Sequence, residues 1–274
     1  MTRITATALF SFLFSLTVLG GEKIIVIAVP PDGLSQTERA PIQQYLAQRM
    51  EKDIRLFTPE SYNATIDGLS DGSIDFACLG GLSYVRARAK LGVVPLVQRT
   101  VDQQFHTVFI AGADTPIHTL RDLRGKKFAF GDVNSTSGHL MAYRELKQAG
   151  IDPDHDLDFR YTGAHALTIK LVETGVVDAG AVDESVLTFL ARTGKVDIRK
   201  IRIIFTSKPF VDWVYVARKD VSEEQQKKFT AALLGLTQGK DDNLLNLLRA
   251  SKFIKAYDEE YDSVREVARE LKMD

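Results

Sequence analysis

One cysteine in 274 residues rules out an internal disulfide and any metal site built from several thiolates. Cys78 itself falls in the apolar run 74–79, the setting of a buried structural thiol. Charge of one sign is also missing: 35 Lys and Arg stand against 36 Asp and Glu, a formal net charge of -1. With no basic stripe, nucleic acid and anionic membrane surfaces lose their electrostatic footprint. The five histidines lack the His-x-x-x-His spacing beside a carboxylate that a metal centre needs, so no metal and no cofactor is expected. The Gly-x-Ser-x-Gly turn of serine hydrolases is absent, and no carboxylate stands out to orient a serine–histidine pair. An enzyme is therefore not expected.

Long apolar runs are missing too, with one exception at the start of the chain. Arg3 is the only charged residue before Glu22, residues 4–19 are largely apolar, and Gly20 and Gly21 follow. That is the three-part layout of a secretory signal peptide over residues 1–21, too short for a comfortable membrane span. No cysteine near the cleavage point offers an acceptor for lipid. The expectation is a mature protein that is exported, soluble and periplasmic, and not a lipoprotein.

Beyond residue 22, strand and helix patterns alternate. Residues 23–30 form a short, continuously apolar run of the kind buried in a parallel sheet. Similar runs occupy 74–79, 126–130 and 177–182, and helical spacing follows at 82–90, 141–148 and 184–192. Extended segments are expected at 93–98, 107–112, 201–206 and 213–217, and helices at 222–236, 242–248 and 257–271. The pattern implies an α/β fold with mainly parallel sheets in two lobes facing one cleft. Crossings between the lobes are expected near Gly112 and Phe210. Lobe 1 then comprises 22–112 plus 211–274, and lobe 2 comprises 113–210.

In open α/β sheets, ligands bind beyond the carboxyl ends of the strands, at helix starts. The segment there that carries most chemistry is Asn134-Ser135-Thr136-Ser137-Gly138-His139. Three consecutive hydroxyl residues exceed what one helix cap needs. Combined with the unpaired first-turn amides, they suit a small phosphate-like anion. Other loops in the same position are Gly80-Gly81-Leu82-Ser83-Tyr84, Gly163-Ala164-His165 and Asp183-Glu184-Ser185. His165 is either a ligand donor or a helix cap. Tyr62 opens a helix as a ligand contact or a core aromatic, and Tyr84 reads as core. Asp183 and Glu184 also fit plain helix-start charges. Trp213 either walls the cleft or fills a hinge contact. His106 and His118 read as surface or strand-end residues.

These motifs resemble the phosphonate, phosphite and phosphate substrate-binding proteins of bacterial ABC transporters, within the two-lobed periplasmic binding protein fold (type II). The resemblance runs from about residue 23 to 207. It is carried by Tyr62, by Ile74-Asp75-Phe76-Ala77-Cys78-Leu79-Gly80 before Ser83-Tyr84, by Leu120-Arg121-Asp122-Leu123-Arg124-Gly125-Lys126, by Phe130-Gly131-Asp132 leading into Ser135-Thr136-Ser137-Gly138, and by Gly163-Ala164-His165. It implies that Ser135, Thr136, Ser137 and Gly138 hold the oxyanion, that His165 donates from the facing loop, and that Tyr62 reaches across from lobe 1. It further implies an ABC permease as partner, a monomer, and a small phosphorus oxyanion as ligand. Two positions depart from the pattern. Phe105 stands where such proteins often carry tyrosine, and Asp183, Glu184 and Asp212 all compete for the acidic contact, with Asp212 taken as the site residue. Rival readings are a ligand sensor docking on a membrane kinase, and a phosphoester hydrolase resting on Ser135 and His165.

Overall fold

The computed structural model describes residues 24–30 and 34–274. The signal peptide expected over residues 1–21 lies outside these. In chain order the elements are β1 (Ile25–Ala28), α1 (Gln36–Met50), β2 (Ile54–Phe57), α2 (Tyr62–Asp71), β3 (Phe76–Leu79), α3 (Gly81–Leu91), β4 (Val94–Arg99) and β5 (Thr107–Gly112). Then come β6 (Lys127–Phe130), α4 (Met141–Gln148), α5 (Pro153–Asp156), β7 (Asp158–Tyr161), α6 (His165–Glu173), β8 (Ala179–Asp183), α7 (Glu184–Arg192) and β9 (Ile201–Thr206). The chain finishes with β10 (Val214–Ala217), α8 (Glu223–Leu234), α9 (Asp242–Leu247), β11 (Phe253–Lys255) and α10 (Asp262–Glu270).

Two sheets result, one of six strands in the order β11-β4-β10-β3-β1-β2 and one of five in the order β7-β6-β8-β5-β9. Every residue of β3 and β8 is buried, as their continuous apolar runs require. The helices follow from local signals. Ser35 caps α1 by accepting from the Glu38 amide, while Glu38 reaches back to the Ser35 amide at 2.8 Å. Gly72, at φ 82°, ends α2 in the left-handed region that glycine enters without penalty. Burial pushes the Cys78 thiol up to about 12, which keeps it a neutral core group.

The sheets are mixed, not mainly parallel. β1 pairs in parallel with β2 and β3, and β6 with β7 and β8. β5 and β10, however, run antiparallel to their neighbours. The reason is topological: strands β1, β3, β6 and β8 end at the edge between the sheets, whereas β5 and β10 each enter from the other sheet and so begin there. β11 adds a further antiparallel pairing, to β4.

The division between lobes also shifts. β5 is hydrogen-bonded to β8 and β9, so the boundary expected at residue 112 falls before Thr107. The first crossing is at Phe105, and it pairs with the second at Phe210. Their backbones exchange both hydrogen bonds at 2.9 Å, and their rings meet edge to face with centroids 6.1 Å apart. The two passages of the chain therefore form one short two-stranded hinge.

Candidate functional site

The hydroxyl segment sits between the two sheets, where α4 begins. Residues Thr136–Leu140 form a single wide π turn that runs into α4, a feature that recurs at functional sites because it re-aims side chains and amides. Ser135 caps this turn by accepting from the Gly138 amide at 3.0 Å. The amides of Thr136 and Ser137 belong to the first turn, where no intrahelical acceptor exists. The backbone of this loop thus supplies donors at its leading edge.

Each of the three hydroxyls has a different role. Ser137 Oγ is buried and has no hydrogen-bond partner among the described residues. A buried hydroxyl left this way costs free energy unless a guest completes it. Ser135 Oγ lies 3.4 Å from His165 Nε2. Thr136 Oγ1 accepts from the Leu82 amide at 2.9 Å, at the start of α3 in the six-stranded half. Thr136 therefore ties one lobe to the other. Gly138 is required sterically: a Cβ there would lie 2.7 Å from His165 Cε1.

His165 opens α6 and is buried. Its Nδ1 accepts from the Asp183 amide at 3.2 Å, which assigns the imidazole proton to Nε2, the nitrogen facing Ser135. A histidine fixed this way is a donor toward the cleft.

Two acids flank the cradle. Asp212 precedes β10 and accepts from the Gly81 amide at 2.8 Å. Burial pushes its carboxyl up to about 7, helped by the nearby Asp183 and Asp102 charges, while the Gly81 amide and the Thr136 hydroxyl work against the rise. Asp183 caps α7, accepting from the Val186 amide at 2.9 Å, and takes a 2.8 Å hydrogen bond from Trp213 Nε1. Burial alone would raise it, yet the neighbouring Arg249 and Arg99 charges, with the Ser185 hydroxyl, hold it below the ordinary carboxylate range. Glu184, its neighbour in sequence, is exposed and stands apart from the cradle.

Tyr62 opens α2 and is buried, its ring 6.1 Å from that of Trp213. Tyr84 is a core residue: fully buried, edge to face with Tyr261, and bonded through its hydroxyl to Asp258. His106 lies at a strand end, with Nδ1 2.8 Å from the Ser207 carbonyl, and His118 is exposed. The structure thus gathers Tyr62, Ser135, Thr136, Ser137, Gly138, His165, Asp183 and Asp212 at one interface.

Sequence reasoning missed the contacts that hold this interface shut. Asn134 donates to Asn63 at 2.7 Å, accepts from the Arg86 guanidinium, and receives the Ser83 hydroxyl on its carbonyl at 2.9 Å. Farther out, Lys195 pairs with Glu38 at 3.3 Å and the Arg249 guanidinium lies 4.9 Å from the Phe189 ring centre. Asn134 adjoins the hydroxyl run and was open to suspicion on that ground; nothing in the sequence marks Arg86 or Asn63.

Comparison with known proteins places this geometry in context. Residues 26–261 match the family described as ABC transporter, phosphonate, periplasmic substrate-binding protein. The chain is 27% identical to a probable ABC transporter phosphite binding protein, PhnD1, of Prochlorococcus marinus, over 98% of this chain and 96% of the relative. The solved structure of PhnD1 in complex with methylphosphonate superposes with a TM-score of 0.85 at 26% identity, covering 92% of this chain and 99% of that one. A binding protein component of an ABC phosphonate transporter from Pseudomonas aeruginosa shares the fold, with a TM-score of 0.82 at 21% identity over 89% and 85% of the two chains.

Proposed function

Because the chain belongs to the periplasmic substrate-binding proteins of phosphonate ABC transporters, we propose that its interlobe cradle captures a small phosphorus oxyanion, namely a phosphonate, phosphite or phosphate. The single observation that carries this reading is the Ser137 hydroxyl, buried beside first-turn amides without a partner among the described residues. Ser135 and His165 supply further donors. Neutral dipoles at helix starts stabilise an anion without a fixed counter-charge, which leaves release feasible. Hydrogen bonds to a charged guest contribute about 1.5–3 kcal/mol each, so four or five support roughly micromolar affinity once association costs are met.

The roles follow from the geometry. Ser135, Ser137 and the amides through Gly138 hold the oxyanion. His165 donates through Nε2, and Tyr62 and Trp213 cover the guest. Thr136 and Asp212 couple the cradle to the start of α3, so a filled cradle favours the closed form. A ligand shifts the closure equilibrium only through contacts made in that form. The closed protein then presents its guest to an inner-membrane permease, acting as a monomer and without catalysis. The donor role of His165 toward Ser135 supports binding over hydrolysis.

A thermal-shift series with phosphate, phosphite, methylphosphonate and aminoethylphosphonate tests the proposal. At least one is expected to raise the melting temperature in a concentration-dependent manner. No shift with any of the four overturns the ligand class, and turnover of a phosphoester overturns the non-enzymatic reading.

A further inference from the structure

We propose that Trp213 is a specificity-determining wall, limiting the ligand's organic substituent by separating the oxyanion cradle from an apolar cavity behind it. The inference deepens the cradle reading above and rests on it.

The indole touches both spaces. Its Cζ3 lies 4.0 Å from where a Gly80 Cβ would stand, the point at which Thr136 Oγ1 and Asp212 Oδ1 converge. The same indole also lines a cavity of about 50 Å3 with Val29, Leu34, Tyr215, Leu247 and Leu248. A water needs about 10–15 Å3 on this measure, so the cavity has room for roughly three or four such groups, a short alkyl chain. Its lining is mostly apolar, and the two arginines that also line it are engaged elsewhere. Arg99 holds Asp102, and Arg249 lies over the Phe189 ring. Among the described residues, Trp213 is the one that covers the cradle and also lines this cavity.

The wall is pinned. Trp213 Nε1 donates at 2.8 Å to Asp183, a buried carboxylate of the opposite lobe. Swinging the indole aside to admit a longer tail removes that bond and leaves the charge less well satisfied. The bond spans the lobes, so the wall is set as the cleft closes. A phosphite or methylphosphonate is expected to fit in front of it, whereas a butyl chain is expected to reach the indole.

The test compares methylphosphonate with n-butylphosphonate by calorimetry in wild type, Trp213→Ala and Trp213→Phe, with circular dichroism as the check on folding. Wild type is expected to favour the methyl ligand. In Trp213→Ala the butyl-to-methyl affinity ratio is expected to rise by about tenfold to fiftyfold, the gain for burying three methylenes. Trp213→Phe retains an aromatic wall and is expected to keep a ratio near wild type. Adding Leu247→Phe to Trp213→Ala refills the cavity and is expected to cancel the gain. If Trp213→Ala fails to fold, Trp213→Leu takes its place. An unchanged ratio in a folded variant that still binds methylphosphonate overturns the wall alone. An equal rise in Trp213→Phe also overturns it, by assigning the effect to the lost Asp183 bond. A wild type that binds neither ligand overturns the cradle reading and the wall together.

Discussion

Thr136 Oγ1 stands 2.9 Å from the Leu82 amide, joining the hydroxyl loop of one lobe to the first turn of α3 in the other. The three adjacent hydroxyls look equivalent in sequence, but this one fastens the lobes while the Ser137 hydroxyl has no partner among the described residues. Closure and capture are therefore built into neighbouring residues of a single turn. A guest bound at Ser137 also stiffens the loop that holds Thr136 in place.

Removal of that bridge has a defined outcome. Thr136→Ala is expected to weaken methylphosphonate binding by about 1–3 kcal/mol, read by calorimetric titration, with the ligand-free melting temperature little changed. Thr136→Ser keeps the oxygen and is expected to retain most of the affinity. Unchanged affinity in the alanine variant would remove Thr136 from the closing mechanism.

Asn134 offers a cleaner separation of closure from contact. It joins Asn63 and Arg86 across the cleft. Asn134→Ala is expected to lower affinity by about three- to tenfold through a less populated closed form, and by the same factor for phosphite and methylphosphonate. Ligand-dependent factors would show that Asn134 touches the guest instead.

The pH dependence turns on Asp212. Its carboxyl is pushed up to about 7 by burial, from an ordinary 3.8. Between those values the folded protein holds a proton that the unfolded chain has released. Stability from this group is therefore fully present below 3.8 and is lost as pH rises through about 7. Asp212→Asn keeps a neutral acceptor for the Gly81 amide at every pH. Its melting temperature is expected to fall less than that of wild type between about pH 5 and pH 8. Superimposable pH profiles for the two proteins would show that Asp212 is ionised in the fold.

Much of this was legible in the chain because the signals were local. Apolar runs at 126–130 and 177–182 mark β6 and β8, and the hydroxyl run before Met141 marks the start of α4. Strand direction was not legible. Nothing in residues 107–112 or 214–217 records which lobe the chain comes from, so β5 and β10 read only as extended segments of undefined direction, and β5 was placed with the other lobe. β11 is three residues long, too short for a periodic pattern. At the site, residue types gave the cradle but not its division of labour. Leu82 contributes an amide and Arg86 acts from a distant helix, and neither leaves a motif.

The central claim, that the interlobe turn captures a phosphorus oxyanion, is tested most directly by calorimetric titration of methylphosphonate into wild type and Ser137→Ala. Ser137 Oγ is buried and unpartnered among the described residues, so its loss leaves the ligand-free fold intact and subtracts one charge-assisted hydrogen bond from the complex. A drop in affinity of about 1.5–3 kcal/mol, with a ligand-free melting temperature equal to or above that of wild type, is the predicted result. Equal affinity in the two proteins, or no binding by wild type, would contradict it.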